Sequence, residues 1–250
     1  MTDELVHLEV ADDIATVTLD SEHNRNALSR QLVTELGEHL ATADADAGVK
    51  AVMVRSAGKV FCSGADLSEA ADGGMVDGAR AIVALQRQIA TAAKPVVVEL
   101  GGAVRAGGLG IVGAADIVVA AESVTFALTE VRLGLAPAVI SLSLLPRLSP
   151  RQASDVFLTG RTFGAAEAER LGLVTRTLPD DELAAGVQAV LDDLVKGYPQ
   201  GLRETKSLLN HDLVARIDAL GDDVAAQSAR LFGSDEAREA MMAFLASRKK

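Results

Sequence analysis

Aromatic residues make up only 3% of the 250 residues, and tryptophan is absent. Apolar residues still reach 49%, so a sizeable core has to be assembled from Ala, Val, Leu and Ile. There is one cysteine, Cys62, which excludes an intramolecular disulfide and suits a reducing compartment. Positive charge is scarce: 24 Lys and Arg stand against 35 Asp and Glu, a net charge of −11. That balance argues against nucleic acid or an anionic membrane as a partner, and an anionic ligand would need locally placed cations. No apolar run approaches the roughly 18–20 residues needed to span a bilayer. The start, Met1-Thr2-Asp3-Glu4, lacks the basic and apolar regions of a secretory signal. The four histidines, His7, His23, His39 and His211, show no metal-ligand spacing, and no metal is expected. The composition predicts a soluble cytoplasmic protein.

The length fits one large α/β domain, or such a domain with a helical appendage. Leu5–Val10 and Ile14–Leu19 alternate apolar and polar residues around Asp12-Asp13 and read as a β-hairpin. Helical spacing over Leu28–Ala43 and Ala79–Ala92 alternates with the strand-like runs Val49–Val54, Val96–Leu100, Ile117–Ala120 and Val124–Phe126. Strands alternating with helices indicate parallel βαβ units. From Pro150 onward the pattern turns to helix after helix: Pro150–Leu158, Ala165–Leu171, Asp181–Val195, Pro199–Leu209, Leu213–Arg230 and Ala237–Ala246. A β-rich first part followed by an α-rich last third predicts a core plus a helical module that covers it or packs on another subunit.

What is most informative is a pair of glycine-bearing turns, Gly64-Ala65-Asp66-Leu67 and Gly107-Gly108-Leu109-Gly110. Each follows a strand-like run and leads into a helix-like run, where the first backbone N–H groups have no intrahelical partner. Two such N–H groups converging on one point form an oxyanion hole. Gly108, Gly110 and Gly113 also match the dinucleotide fingerprint G-x-G-x-x-G, with Glu130 about 20 residues on. That fingerprint belongs directly after its strand in the first βαβ unit. Here Gly101–Ala106 intervene and the motif sits mid-chain, so a glycine-rich helix packed closely on a neighbour is the better reading.

Around these turns stand Asn26-Ala27-Leu28, Lys59-Val60-Phe61-Cys62-Ser63-Gly64-Ala65-Asp66-Leu67, Lys94-Pro95, Ala115-Asp116-Ile117 and Thr129 to Pro137. Then come Leu145-Pro146-Arg147-Leu148, Leu158-Thr159-Gly160-Arg161 and Ala168 to Val174. In this order and spacing the chain resembles the enoyl-CoA hydratase/isomerase (crotonase) superfamily, from about Leu5 to the C-terminal helices. The resemblance implies an α/β fold: a spiral of ββα units over residues 1–195, with a helical trimerisation or lid module over residues 196–250. It implies an acyl-CoA thioester as ligand, no separate cofactor since coenzyme A is part of the substrate, and a homotrimer or dimer of trimers.

On this mapping the N–H groups of Ala65 and Gly107 bind the thioester oxygen, with Cys62, Ser63, Gly64, Asp66, Leu67 and Gly108 in the two turns around it. Hydratases of the superfamily carry two catalytic glutamates; one position here is Gly110, the other is Glu130. Glu130 is flanked by Ala127, Leu128, Val131 and Leu133, and burial there would raise its pKa towards a value useful for proton transfer. One carboxylate suffices to shuttle a proton from C2 to C4 in an isomerase. Hydration is also within its reach if a backbone N–H holds the water, for which Ala138 is the matching position. The stretch Ala127 to Ser141 with glycine at 110 looks like a hydratase subgroup for branched or carboxylated enoyl-CoAs, so hydration is the favoured reading. The Δ3,Δ2-enoyl-CoA isomerase and a non-catalytic acyl-CoA binder remain open as alternatives. Arg105 is a candidate partner for a carboxylate on the acyl group, the alternative being a surface or interface arginine. Arg25, Lys59 and Lys206 are candidate cations for the phosphate end of coenzyme A. Asp66 is expected to cap the helix after the first turn and Asp116 to be structural. Cys62 is expected to be a small buried residue without nucleophilic function. Ser68–Gly78 is expected to line or cover the acyl pocket.

Overall fold

The computed structural model describes residues 4–69 and 75–247. Part of Ser68–Gly78 therefore lies outside the described residues. Alternating hydrophobicity produces the expected hairpin, β1 (Val6–Ala11) against β2 (Ile14–Leu19), in the register Val6↔Leu19 to Ala11↔Ile14. Asp12 and Asp13 make the two-residue turn with φ of 51° and 64°; aspartate tolerates the left-handed region that such a hairpin turn requires.

A repeat then follows. β3 (Ala51–Ser56) lies parallel to β2, β4 (Val60–Cys62) leaves for a second sheet, and α2 (Met75–Thr91) returns the chain. β5 (Val96–Leu100), β6 (Ala103–Arg105) and α3 (Gly108–Ala114) repeat the step, as do β7 (Ile117–Ala121) and β8 (Thr125–Ala127). The first strand of each unit joins a six-stranded sheet, β1-β2-β3-β5-β7-β10, and the second joins a four-stranded sheet, β4-β6-β8-β9, with β9 at Thr162–Gly164 and β10 at Arg176–Leu178. The two sheets are walls of one ββα spiral. β3, β5 and β7 read as near-continuous Val and Ala because a central parallel strand is covered on both faces, and Val52, Val54, Val96, Val97, Val98 and Val119 are all at most 1% exposed. Two of the few aromatics, Phe126 and Phe163, stack with centroids 5.6 Å apart between β8 and β9.

Local chemistry sets the helix limits. Ser29 caps α1 (Arg30–Ala45), its side chain accepting from Leu32 N at 3.2 Å. After the single turn α4 (Ser141–Leu144), α5 (Pro150–Thr159) begins with a Ser149/Gln152 capping box and ends at Gly160 with φ 56°. α6 (Ala165–Leu171) and α7 (Leu183–Val195) follow, and α9 (Asp235–Ser247) is last. One expectation needs correcting: Pro199–Leu209 and Leu213–Arg230 are a single helix, α8 (Pro199–Phe232). The polar triplet Asn210-His211-Asp212 reads as a break, but Asn210 is 4% exposed and lies on the buried stripe with Lys206, Leu213, Ile217, Gly221 and Ala225. Its Nδ2 donates to Ala90 O and to Asp116 Oδ1.

Lys206 joins the same buried network. It is 4% exposed, and Nζ meets Ile89 O, Lys94 O and Asp116 Oδ2 at 2.8, 2.9 and 2.8 Å. Burial lowers its pKa against the opposing pull of Asp116. Asp116 also accepts from Val96 N at 2.7 Å, so this polar cluster ties α8 to α2 and to the edge of β5. Among the described residues no helix is long and apolar enough to cross a membrane.

Removing one member of a buried pair strands the other charge, which costs about 3–5 kcal/mol. Lys206→Ala is expected near the lower end, because Asp116 keeps the donors of Val96 and Asn210. Urea denaturation of the variant beside the parent measures it.

Candidate active site

The first turn leaves β4 and bends at Gly64, with φ 98°. A Cβ on Gly64 would sit 2.8 Å from the Ala106 Cβ, so both conformation and space demand glycine. A strap, residues 21–28, fastens this turn. Leu28 N donates to Gly64 O at 2.8 Å and Ser63 N to Arg25 O at 3.1 Å. Asn26 Nδ2 donates to Val60 O, Ser63 Oγ to Asn24 O, and Asn24 Nδ2 to Asp66 Oδ2. The bonds hold Arg25 and Asn26 in the left-handed region, φ 59° and 52°. Asp66 accepts from Ser68 N and Oγ at 2.9 and 2.6 Å. Burial works against its charge, but the bonds from Ser68 and Asn24 prevail and lower its pKa. It thus closes the turn at Ser68, whereas the expectation was a cap on the helix that follows, α2, which begins only at Met75.

The second turn leaves β6, which lies beside β4 in the small sheet. Ala106, at φ 45°, donates its N–H to Ala127 O at the end of β8 (3.0 Å). Gly107 then opens α3. A methyl group on Gly107 would lie 3.7 Å from Ala65 N, and one on Gly64 would lie 3.6 Å from Gly107 N. The two turns therefore sit side by side. No backbone carbonyl of the described residues accepts from Ala65 N or Gly107 N. Two unclaimed N–H groups on adjacent turns are what an oxyanion hole requires.

The glycines that imitate a dinucleotide fingerprint serve packing. Gly108 faces Cys62, with 2.6 Å from a hypothetical Cβ to that of Cys62, and Gly113 faces Ser143 Oγ at 2.7 Å. All seven residues of α3 are buried, so no ligand lies along it.

Glu130 follows directly. β8 ends at Ala127, the residue that anchors Ala106, and a 3-10 turn covers Thr129–Leu133. Leu135 N and the left-handed Gly134 N both donate to Glu130 O. The main chain is fixed, but carboxyl Oε2 is shielded from solvent and has no hydrogen-bond partner. Desolvation pushes the pKa to about 7, against a smaller opposing contribution from its own backbone. Glu130 as a whole is half-buried, and a carboxyl with one shielded, unbonded oxygen and a raised pKa has the acidity that proton transfer calls for.

Other expected contacts fall elsewhere. Lys206 is committed to Asp116 and two carbonyls inside the fold and is not a free phosphate-side cation. Cys62 is 0% exposed and its thiol is pushed up to about 12 by burial, so both it and Gly108 face the core rather than a ligand. Ala138 N already donates to Ala136 O at 2.7 Å, which removes it as the holder of a water. Arg105 is half-buried, its guanidinium bonded to Val104 O, Thr125 O and Thr125 Oγ1. Thr125 lies two residues before Ala127, the partner of Arg105 across the sheet, so the side chain leans back, away from Gly107. That geometry disfavours a bond to an acyl carboxylate; Arg105 instead clamps β6 to β8, and burial lowers its pKa. Arg25 and Lys59 are exposed beside the first turn and their charged ends meet no partner among the described residues. Leu67 is half-buried at the end of that turn. An open cleft of about 530 Å³ runs between the end of α2 and α8, past Lys206, Asn210 and His211, and none of the turn residues lines it. Sequence reasoning missed Gln86 and Ser143, both 0% exposed beneath Gly110; a glutamine on the apolar stripe of α2 was the available signal.

Two walls of a ββα spiral, paired turns with unclaimed N–H groups and one desolvated carboxyl oxygen form an arrangement with the donors to stabilise an enolate-like anion. Comparison with known proteins gives the family. The model of the enoyl-CoA hydratase/isomerase family matches residues 9–250, and the chain belongs to that family. A solved enoyl-CoA hydratase from Mycobacterium avium is 44% identical, covers 98% of both chains and superposes with a TM-score of 0.92. A mevalonyl-coenzyme A hydratase of Aspergillus fumigatus is 30% identical over 244 residues, 94% of this chain and 90% of that protein. A Thermus thermophilus protein named as a candidate enoyl-CoA hydratase is 35% identical over 202 residues, 78% of this chain and 80% of its own length.

Two measurements check the site's physics. Because the Glu130 pKa is raised on folding, the folded protein holds an extra proton between about pH 4.5 and pH 7. Stability therefore falls as pH rises through that window and levels off above it. Glu130→Gln is expected to be more stable than the parent at pH 8, by on the order of 3 kcal/mol at 1.36 kcal/mol per pKa unit, and to lose that advantage at pH 4. Thermal melts at both pH values test it. Gly64→Ala adds a strained left-handed alanine and a collision with Ala106; a loss of at least about 1–2 kcal/mol is expected from backbone strain alone, read by the same melts.

Proposed function

We propose that the protein adds water across the double bond of a 2-enoyl-CoA thioester, with Glu130 as its one acid/base and the N–H groups of Ala65 and Gly107 as the oxyanion hole. The observation that carries this reading is the shielded, unpartnered Oε2 of Glu130, on the segment bonded through Ala127 to the second turn. The thioester oxygen accepts both N–H groups, and electron density moves from the C2=C3 bond towards it. The Glu130 carboxylate takes a proton from water as the water oxygen bonds to C3, leaving an enolate. The protonated Glu130 then delivers that proton to C2, which restores the carboxylate and gives the 3-hydroxyacyl-CoA. Coenzyme A enters and leaves with the substrate, and no further cofactor takes part. Arg25 and Lys59, exposed beside the first turn, are the cations proposed to meet its phosphates.

Hydration with one carboxylate begins from the ionised form, so kcat/KM for the free enzyme should rise with pH through about 7. A 3-enoyl-CoA isomerase is the second reading. It is favoured by Gly110, which leaves a single carboxylate to carry a proton from C2 to C4. A homotrimer or dimer of trimers, with residues 196–250 as the assembly or lid module, belongs to the same proposal. Leu208 and Leu209, 80% and 76% exposed on α8, support a surface that another copy covers.

The experiment follows the conjugated enoyl-thioester absorbance with short 2-enoyl-CoAs and with methylglutaconyl-CoA. The name of the fungal relative, mevalonyl-coenzyme A hydratase, supports looking beyond straight-chain substrates and including the latter. Absorbance should fall with the parent protein, and Glu130→Gln should slow the loss by about 10²–10⁴-fold, the usual worth of a positioned acid/base. No loss with any 2-enoyl-CoA would overturn hydration, and absorbance that grows from a 3-enoyl-CoA would establish the isomerase.

A further inference from the structure

The structure assigns Gln86 a positioning role: with Ser143 it locks the oxyanion helix to the segment that follows Glu130. The inference rests on the reading of Ala65, Gly107 and Glu130 as the site and adds a residue to it. Gln86 lies on the buried stripe of α2 and is 0% exposed, as is Ser143. Its Nε2 donates to Val139 O at 3.2 Å and to Ile82 O at 3.4 Å, and its Oε1 accepts from Ser143 Oγ at 2.6 Å. Ser143 Oγ also lies 3.3 Å from Gly110 O, and Gly110 N donates to Gly107 O at 2.9 Å. The Ser143 hydroxyl has one hydrogen, given to Gln86 Oε1, so it meets Gly110 O as a contact. The path from the oxyanion turn runs by hydrogen bond to Gly110, by that contact to Ser143, and by hydrogen bonds through Gln86 to Val139. From Val139 only the short run 136–138, stiffened by Pro137, leads back to Leu135, whose N–H holds Glu130 O. The amide of one side chain therefore fixes the two halves of the site relative to each other.

Gln86 also accounts for the glycine at position 110. A Cβ there would be 3.3 Å from Gln86 Cδ and 3.1 Å from Ile140 Cγ2. The volume a longer side chain would need is occupied by the glutamine amide and by Ile140. Any side chain at position 110 needs Gln86 or Ile140 to give by a few tenths of an ångström, so positions 110 and 86 are packed against each other.

A buried amide is an expensive way to fill space, since each of its polar atoms must be bonded. Methionine would fill the same volume with no such demand. What the amide adds is direction: it ties down the carbonyl of Val139 and the hydroxyl of Ser143 at fixed angles. A misplacement of about 1 Å between reacting groups costs about 10²-fold in rate, which is the scale on which such a lock acts.

The test compares Gln86→Met and Ser143→Ala with the parent, below the melting temperature of each. The inference expects KM within threefold of the parent and kcat lower by at least tenfold in Gln86→Met, with a smaller fall in Ser143→Ala. A second readout needs no turnover: the thioester C=O stretch of bound acetyl-CoA, labelled with ¹³C at the carbonyl, in infrared difference spectra. Acetyl-CoA has no double bond to hydrate, and oxyanion donors should lower its frequency. Gln86→Met should show a smaller lowering than the parent at saturating ligand. If it does not fold, Ser143→Ala carries the same comparison. Parent-like kcat and parent-like carbonyl shift in the folded variants would overturn the inference and leave the proposed function standing. A parent protein that shifts no bound carbonyl would overturn the oxyanion reading, and this inference with it.

Discussion

The rest of the structure depends on the contact between two turns that come from successive units of the spiral. Gly64 must be left-handed and free of a Cβ for the first turn to lie against Ala106, and a Cβ on Gly107 would have to push aside the end of the Leu28 side chain. The contact leaves two backbone N–H groups without acceptors on one small patch of a fold that otherwise bonds its main chain well. Unpaired backbone donors are normally eliminated on folding. Here the strap 21–28, the bond from Ala106 to Ala127 and the buried faces of α3 hold them in place. The strain is visible in three non-glycine residues with positive φ close to the site, Arg25, Asn26 and Ala106. Backbone strain of this kind persists only where the surroundings over-determine it.

Buried charge is handled in two opposite ways. Lys206 and Asp116 are desolvated but fully partnered, with three contacts to the ammonium and bonds from Val96 and Asn210 to the carboxylate. Such a cluster fixes how α8 lies on α2 and does no chemistry. Glu130 is desolvated with Oε2 unpartnered, so burial raises its pKa instead of being offset by bonding. The first arrangement contributes order and the second leaves a carboxyl oxygen unbonded, as the proposed proton transfer requires. Gln86 and Ser143, neutral and bonded, join α2 to the segment that follows Glu130.

Much of the architecture could be read from periodicity. The hairpin, the β3–β5–β7 apolar runs and the switch to helices after Pro150 follow from rules of local pattern, and Ala165–Leu171 matches residue for residue. The error at Asn210-His211-Asp212 arose because a polar run looks like a break until the partner of Asn210 is known. Glu130 and the two turns stood out because their blocks carry the order and spacing of the family that the chain resembles. Lys206, Arg105 and Ala138 were misplaced for a common reason. A side chain's type says what it can bind, whereas its neighbours in space decide what it does bind.

The sequence by itself determined a Val-, Leu- and Ala-rich α/β chain with glycine turns after two strands, while the spiral and the importance of Glu130 were what its resemblance to the family implied. The first are consequences of hydrophobic period and residue order, which are local properties. Only the tertiary structure decided that the two turns touch, that Glu130 is desolvated without a partner, that Lys206 is spent on Asp116, and that Gln86 occupies the space beside Gly110. Those outcomes depend on which surfaces exclude water from which atoms. That is a property of elements distant in sequence and brought together by packing.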